Sequence, residues 1–294
     1  MNKYSMLLRR EFWENKAIWI IPAAIGGVLV LGTLFGRVHI DTVASPAQVR
    51  AVAKAVLFGL SILFFIMMSI YAGWYTLDCL YADRKDRSIL FWKSMPVSDT
   101  ETVLSKLLMA VIVIPLVYFL IADVTLLLMS FIISIRLSDL VGGGIWYADN
   151  WLQLQAAWVY LIVTVAIWYL PFTAWLLLIS ALVRRAVVLW SILPPLAVML
   201  AEHWFFGSRV LLTLLSNRSI GYPAAAFHDV NGSMWETTPL GTQSGDGKIE
   251  LPRSIWTLID PLAFLSSPGT WIGLAVGAAM IFAAIQLRQR RTEL

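Results

Sequence analysis

The sequence has few charged residues for its length. Only 14% of its 294 residues are Asp, Glu, Lys or Arg, whereas a soluble domain carries about 25%. Hydrophobic residues make up 59% of the chain, and the mean hydropathy is +0.76. Because so little polar surface cannot cover a water-soluble globule of this size, the composition excludes a soluble protein and indicates an integral membrane protein.

Cysteine and histidine are also scarce. The single Cys79 excludes an internal disulfide and says nothing about the redox compartment. A metal site needs clustered ligands, but the three histidines are far apart in the sequence and form no H-x-x-x-H pair: they are His39, His203 and His228. We therefore predict neither a metal site nor a catalytic centre in this chain.

A phosphate-binding loop is missing as well. Such a loop has the pattern G-x-x-x-x-G-K-[ST] after a strand. The nearest look-alike is Gly247-Lys248, but Thr242 stands where the first glycine is needed and Ile249 follows the lysine. ATP hydrolysis is thus not expected in this chain.

Long hydrophobic runs, by contrast, are abundant. About 20 apolar residues suffice for a helix to cross a bilayer, and these runs lack the alternation of a membrane strand. We predict an all-α membrane protein in which residues 1–294 form a single transmembrane domain. Its six helices are expected at about 17–36, 55–78, 107–135, 156–183, 186–207 and 269–287. Kinks are expected at Pro115, Pro171, Pro194 and Pro195, which lie inside spans.

The distribution of basic residues predicts the orientation, because cytoplasmic loops are enriched in Lys and Arg. With the N-terminus inside, 14 basic residues fall in the inner segments 1–16, 79–106, 184–185 and 288–294. The other eight are spread over nearly twice that length in the outer segments 37–54, 136–155 and 208–268. Both termini are therefore predicted to be cytoplasmic.

The N-terminal segment 1–16 is amphipathic. One helical face would carry Tyr4, Leu7, Leu8 and Phe12, and the other Lys3, Arg10 and Glu14. This pattern predicts an interfacial helix on the inner leaflet, with Trp13 at the level of the lipid headgroups. An ordinary cytoplasmic lead-in to the first span is the alternative.

The segment 79–106 between the second and third spans has more structure than a connector needs. Asp83 to Met95 is long enough for about three helical turns around a short apolar core. Pro96 ends this helix because it disfavours helical geometry at the preceding residue. Ser98 and Glu101 then have the spacing of a capping box, which starts the next helix. The pattern predicts a rigid docking helix; a basic loop that only orients the protein is the alternative.

The stretch DRKDRSILFWKSMPVSDTETVLSKL resembles the cytoplasmic loop of ABC-2-type transporter permeases, the transmembrane subunits of ABC exporters. The shared features are the acidic-basic start, the apolar core, the proline break and a lysine early in the next span, here Asp83-Arg84, Ile89-Leu90, Ser94–Ser98 and Lys106. Where the family more often has Gly-Thr, this chain has Arg87-Ser88. The resemblance extends to the N-terminal helix, the six spans and the position of the loop.

This resemblance implies a partner and a function. Such permeases pair as homodimers or heterodimers in a bacterial-type inner or cell membrane, and each binds a cytoplasmic ATPase subunit that holds ATP and Mg²⁺; no nucleic acid is involved. The loop would be the coupling helix, with Asp83, Arg84, Arg87, Ile89, Leu90, Phe91, Trp92, Met95 and Pro96 in contact with the ATPase. The complex would export a lipid, a peptide or a hydrophobic compound, or alternatively transmit motion to an envelope protein without transport.

Ionisable residues inside spans are candidates for function because burying them in lipid is costly. Asp123 lies near the middle of the third span, and Glu202-His203 lies near the outer end of the fifth. We consider them candidates for a substrate path. The alternatives are a hydrogen-bonded Asp123 that holds helices together and a solvated Glu202-His203 pair. An intramembrane enzyme built from these residues is disfavoured because no catalytic constellation is present.

Two further patterns concern packing and the outer side. Gly32-x-x-x-Gly36 and Gly273-x-x-x-Gly277 have the spacing that lets helix backbones approach closely. The outer segment 208–268 has apolar ends and a turn-rich middle. We expect two short, re-entrant helices that flank a polar cap, which could gate an exit; a surface loop without a role in transport is the alternative.

Overall fold

The computed structural model describes residues 3–36, 46–85, 98–136, 148–227, 256 and 259–290. Within these ranges the chain is helical apart from short turns and one isolated bridge between Phe227 and Ile259. The helices are α1 (Lys3–Glu14), α2 (Ala17–Phe35), α3 (Pro46–Lys85), α4 (Asp99–Leu108), α5 (Ile114–Arg136), α6 (Ala148–Trp168), α7 (Leu170–Leu182), α8 (Val187–Phe206), α9 (Val210–Ile220), α10 (Tyr222–Ala226), α11 (Pro261–Ser266) and α12 (Pro268–Arg290).

Six helical segments in the described ranges are long and apolar enough to cross a membrane, which confirms a multi-pass, all-helical membrane protein. They are Ala17–Phe35, Ala55–Lys85, Asp99–Arg136, Trp151–Trp168, Val187–Phe206 and Pro268–Arg290. Helix α3 has 40 residues, or about 60 Å at 1.5 Å per residue. Because a bilayer core is about 30 Å thick, α3 extends well beyond it.

The prolines inside the spans act in different ways. Pro115 follows a five-residue π-helix, Met109–Val113, that joins α4 to α5. Pro171 lies in the first turn of α7, directly after the chain leaves helical geometry at Tyr169. Pro194 and Pro195 lie inside α8, which continues as one helix through both. Where a kink was predicted at Pro171, the helix is interrupted at Tyr169, and the third span contains a widened turn just before its proline.

The helix bundle is held together mainly by two packing units. Helix α2 packs along α5, and α7 packs between α12 and α3. The main core contains fully buried side chains from several spans, among them Ile18, Phe64, Met109, Ile114, Tyr118 and Leu177. Helix α8 is peripheral, since Val187 is its one buried residue. Its remaining surface faces outward and is rich in Leu, Ile, Trp and Phe.

Two glycines of α12 leave room for neighbouring side chains. A Cβ on Gly273 would lie 1.9 Å from an Arg218 nitrogen, and one on Gly277 would lie 2.9 Å from Leu170 Cγ. Gly277 therefore packs against the start of α7 as predicted, whereas Gly273 makes room for the Arg218 side chain of α9 rather than for a helix backbone. Gly32 has open space around it, and a Cβ on Gly36 would meet only the backbone of its own helix end. Within the described ranges, neither of these two glycines packs against another helix.

The sharpest test of this packing uses Gly26 in α2. Its added Cβ would lie 2.4 Å from Thr125 Oγ1 on α5, whereas a Cβ on Gly27 would have no neighbour within 4 Å. We expect Gly26→Ala to destabilise the protein by about 1–3 kcal/mol through overpacking. Gly27→Ala should be neutral or stabilising by up to about 1 kcal/mol, because alanine favours helix. Apparent melting temperatures in detergent measure both, and equal stability of the two variants would contradict the α2–α5 contact.

Short helices pack against α6 at the end of the bundle opposite segment 86–97. Helices α9 and α10 follow α8, and α11 precedes α12. Trp168 Nε1 donates to the Arg218 carbonyl at 2.7 Å, and the Thr164 and Tyr222 hydroxyls are 2.7 Å apart. Phe264 completes this cluster. Short helices at both ends of segment 208–268 agree with the prediction, while the proposed cap, residues 228–255, lies outside the described residues.

Candidate functional site

A cluster of buried charges lies at the end of the bundle from which segment 86–97 leaves. We call this end the stem end, because Lys85 ends α3 and Ser98 precedes α4 on either side of the segment. The ion cluster consists of three carboxylates and two cations, Glu11, Asp83, Asp99, Lys106 and Arg288. These side chains come from α1, α3, α4 and α12.

Lys106 forms one half of the ion cluster. Its Nζ donates to Glu11 Oε1 at 2.8 Å and to Asp83 Oδ1 at 3.2 Å. The second oxygen of Glu11 accepts a hydrogen bond from the Tyr75 hydroxyl at 2.9 Å. One lysine in the third span thus joins the N-terminal helix to the end of α3.

Arg288 forms the other half. Its NH1 donates to Asp83 Oδ2 at 3.3 Å, and its Nε donates to Asp99 Oδ1 at 2.9 Å. Asp83 comes three residues before segment 86–97 begins, and Asp99 comes two residues after it ends. A single guanidinium on the last span therefore contacts the end of α3 and the start of α4, which we call the two stems of segment 86–97.

The ion cluster is shielded from water. The Lys106 and Arg288 side chains are 4% and 6% exposed, and Asp83 is largely buried. Buried ions are costly unless they are paired, and removing one partner from such a pair is strongly destabilising. Among the described residues, no group of three or more His, Cys, Asp and Glu side chains is arranged to hold a metal ion. Each of the three carboxylates is paired with Lys106, with Arg288 or with both.

Local sequence explains how each side chain reaches the ion cluster. Ser98 forms the predicted capping box: its hydroxyl accepts from the Glu101 backbone N–H at 3.1 Å, and the Glu101 carboxylate accepts from the Ser98 N–H at 2.8 Å. This cap starts α4 with Asp99 in its first turn, where a negative charge suits the helix dipole. Arg288 lies in the last turn of α12, where a positive charge is favoured.

Arg84, next to Asp83, makes a different connection. Its guanidinium donates to the Ser180 carbonyl and, at 2.8 Å, to the Val183 carbonyl. These carbonyls lie at the C-terminal end of α7, where a helix leaves acceptors without intrahelical partners. The Ser180 hydroxyl in turn accepts from the backbone N–H groups of Leu80 and Tyr81 at 3.1 Å each. The end of α3 is therefore also fixed to α7.

The predicted coupling residues divide into two groups. Asp83 and Arg84 lie in the last turns of α3, so the helix predicted to start at Asp83 is, over its first residues, a continuation of the second span. The others lie outside the described residues: Arg87, Ile89, Leu90, Phe91, Trp92, Met95 and Pro96. Their contact with an ATPase stays a prediction.

The residues considered for a substrate path are far from the ion cluster in the fold and do not form one site with it. Asp123 accepts a hydrogen bond from Gln155 Nε2 at 2.5 Å, which joins α5 to α6. This contact favours the interpretation that Asp123 holds helices together. A role in a substrate path stays a prediction.

Glu202 caps the short helix that follows it. Its carboxylate accepts from the Ser208 hydroxyl at 2.7 Å and from the backbone N–H groups of Val210 and Leu211 at 2.5 and 2.9 Å. A carboxylate at a helix N-terminus is favourable because orphan N–H groups point toward it. His203 is exposed. The geometry gives Glu202 a structural task, and neither residue lies near the ion cluster.

Sequence reasoning did not identify Glu11, Asp99 and Arg288 as parts of a site. A signal for Glu11 was present: it lies four residues after the buried Leu7, on the same face of α1. A carboxylate on the buried face of an interfacial helix needs a cation. Asp99 and Arg288 gave no such signal, because charges at helix ends are common on surfaces as well.

Comparisons with known proteins did not identify a relative. No family model matches the chain, and neither a curated protein nor a solved structure does. The functional interpretation therefore depends on the geometry and on the resemblance of the loop.

Proposed function

We propose that this chain is the membrane-spanning permease subunit of an ATP-driven ABC transporter of the ABC-2 type. A separate cytoplasmic ATPase subunit binds segment 86–97 and supplies the energy. The chain pairs with a second copy or a related permease in a bacterial-type cell membrane, with both termini in the cytoplasm. The transported compound is a lipid, a peptide or another hydrophobic molecule.

The observation that carries this proposal is the attachment of both stems of segment 86–97 to Arg288. Because Asp83 and Asp99 contact the same guanidinium, a displacement of the segment moves the last span together with both stems. Through Lys106 the displacement also reaches α1. A connector that only joins two spans does not require such an attachment.

The capping box supports the same function. It fixes the direction in which α4 leaves the segment, since Ser98 and Glu101 satisfy each other's backbone donors. An ATPase that closes on ATP can shift the permease only through contacts that differ between its two states. Rigid stems allow such contacts to act on the spans rather than deform a loop.

The test of this function replaces Trp92 in the segment. We expect Trp92→Asp to reduce the ATPase subunit recovered with the tagged chain from its native membrane at least tenfold, because an apolar contact is replaced by a charge. The measurement is the amount of phosphate-loop protein and of ATP hydrolysis that purifies with the chain.

Trp13→Asp is the matched control, since Trp13 is an exposed tryptophan on α1 outside the segment. It should retain the ATPase, and both variants should insert into the membrane in normal amounts. Full recovery and full stimulation of the ATPase with Trp92→Asp would overturn the assignment of the segment. A transport assay on the recovered complex then distinguishes export from transmission of motion to another protein.

A further inference from the structure

A cavity of about 850 Å³ lies beside the ion cluster, between α1, α2, α3 and α5. This volume is within the range of about 300–1,000 Å³ that is typical of sites for small molecules. Glu11, Asp83 and Lys106 form part of its polar wall, and Ile21, Ile70 and Trp74 form part of its apolar wall. Ile70 and Trp74 are 67% and 63% exposed, so the cavity opens on the side of the bundle.

One carboxylate in this cavity forms no ion pair within the described part of the chain. Asp78 is exposed and makes no ion pair or hydrogen bond with any described residue. The neighbouring acids are paired: Glu11 and Asp83 contact Lys106, and Glu14 contacts Arg10 at 2.5 Å. The cavity is lined by four carboxylates and two basic side chains, which leaves an excess of two negative charges before Arg288 is counted.

A second observation points to a ligand. Tyr118 lines the same cavity and is fully buried, but its hydroxyl has no hydrogen-bond partner in the described ranges. Buried hydroxyl groups are normally paired. Its ring packs against Tyr71, with ring centroids 6.0 Å apart. Tyr71, Trp74 and Asp78 share one face of α3, since they are spaced three to four residues apart.

We propose that this cavity binds a lipophilic cation, with its positive charge at Asp78 and its apolar body along Trp74 and Ile70. The charge excess selects a cation over an anion, and the aromatic rings of Trp74 and Tyr71 favour a positive group through cation–π attraction. A ligand with an N–H group would also satisfy the Tyr118 hydroxyl. This proposal goes beyond the transporter assignment, because binding requires only this chain and no ATPase.

The probe is tetraphenylphosphonium, titrated against the full chain in phosphatidylcholine nanodiscs and followed by equilibrium dialysis. We expect saturable binding that Asp78→Asn weakens at least tenfold. Tetraphenylborate has nearly the same size and the opposite charge, and it should not compete. Asp260→Asn is the control variant, because Asp260 caps α11 at the other end of the bundle and asparagine also caps helices. It should bind as the wild type does.

A second variant tests the proposed contact of the ligand with Tyr118 separately from its contact with Asp78. Tyr118→Phe should weaken the binding of 4-phenylbutylammonium, which can donate a hydrogen bond, about three- to tenfold. A loss of this size corresponds to the net contribution of one typical hydrogen bond. The same variant should leave the affinity for tetraphenylphosphonium unchanged, since that ion has no hydrogen-bond donor. No saturable binding by the monodisperse wild type would overturn the proposal. The proposal would also be overturned if Asp78→Asn bound tetraphenylphosphonium as tightly as the wild type does, or if the wild type bound tetraphenylborate as tightly as tetraphenylphosphonium. An effect of Asp78→Asn on the oligomeric state alone would overturn it too.

Discussion

Replacing Lys106 by methionine is expected to cost the folded protein about 3–5 kcal/mol, the range for removing one partner of a buried ion pair. Methionine retains most of the volume of the side chain but removes the cation that contacts Glu11 and one of the cations that contact Asp83. The apparent melting temperature in detergent should fall by far more than for Lys16→Met. Lys16 is exposed, so its variant controls for the loss of one lysine.

A double variant shows whether the loss of stability comes from the ion pair between Glu11 and Lys106. Adding Glu11→Gln to Lys106→Met removes the orphaned charge, so the double variant should be more stable than the sum of the single effects predicts. Strict additivity of the two variants would mean that Glu11 and Lys106 do not interact. A melting temperature of Lys106→Met equal to that of Lys16→Met would contradict the burial of the ion cluster.

Replacing Arg288 by glutamine is expected to release the two stems of segment 86–97 from the last span. Glutamine cannot bridge two carboxylates with a positive charge, and each hydrogen bond to a charged group contributes about 1.5–3 kcal/mol. Spin labels at Lys85 and Gln289, both exposed, report the distance between the ends of α3 and α12. The labels are placed in a Cys79→Ala background, because Cys79 is the one native cysteine.

The distance distribution should be narrow in the wild type and broad in Arg288→Gln. Arg290→Gln is the matched control, since Arg290 is exposed two residues further along the same helix. Its distribution should stay narrow. If Arg288→Gln left the distribution unchanged, the ends of α3 and α12 would be held by packing alone, and the ion cluster would not be what fixes the stems.

Composition and periodicity predicted the architecture well. Apolar runs of the length of a bilayer identify spanning helices from local sequence alone, and the six predicted spans overlap the six of the structure. The capping box at Ser98 and Glu101 was also predictable, because both partners lie within one helical turn. The extension of α3 through Asp83 was missed, since polar residues can continue a helix beyond the membrane without a change in pattern.

The ion cluster could be predicted only in part because its contacts span the whole chain. Glu11 and Lys106 are 95 residues apart, and Asp83 and Arg288 are 205 apart. No local sequence pattern encodes contacts between residues so far apart in the chain, because these contacts follow from how the spans pack. The same holds for the cavity, whose polar wall becomes visible only when α1 lies against α3 and α5.

The ion cluster and the cavity share side chains. Asp83 and Lys106 line the cavity, and Asp83 also contacts Arg288, which holds the stems of segment 86–97. A ligand in the cavity and a partner on the segment would therefore contact one continuous network of hydrogen bonds. If both proposals hold, ligand binding should alter ATP hydrolysis by the complex, and the Arg288→Gln variant should weaken that effect.

The most direct test of the central claim is photo-crosslinking from the segment in living cells. Trp92→p-benzoylphenylalanine places a reactive group in the proposed coupling helix, and Trp13→p-benzoylphenylalanine places one on α1 at the same predicted membrane side. We predict an adduct from position 92, and not from position 13, with a soluble subunit that carries a phosphate loop. Adducts from position 92 with lipid or with this chain alone would contradict an ATPase-driven permease.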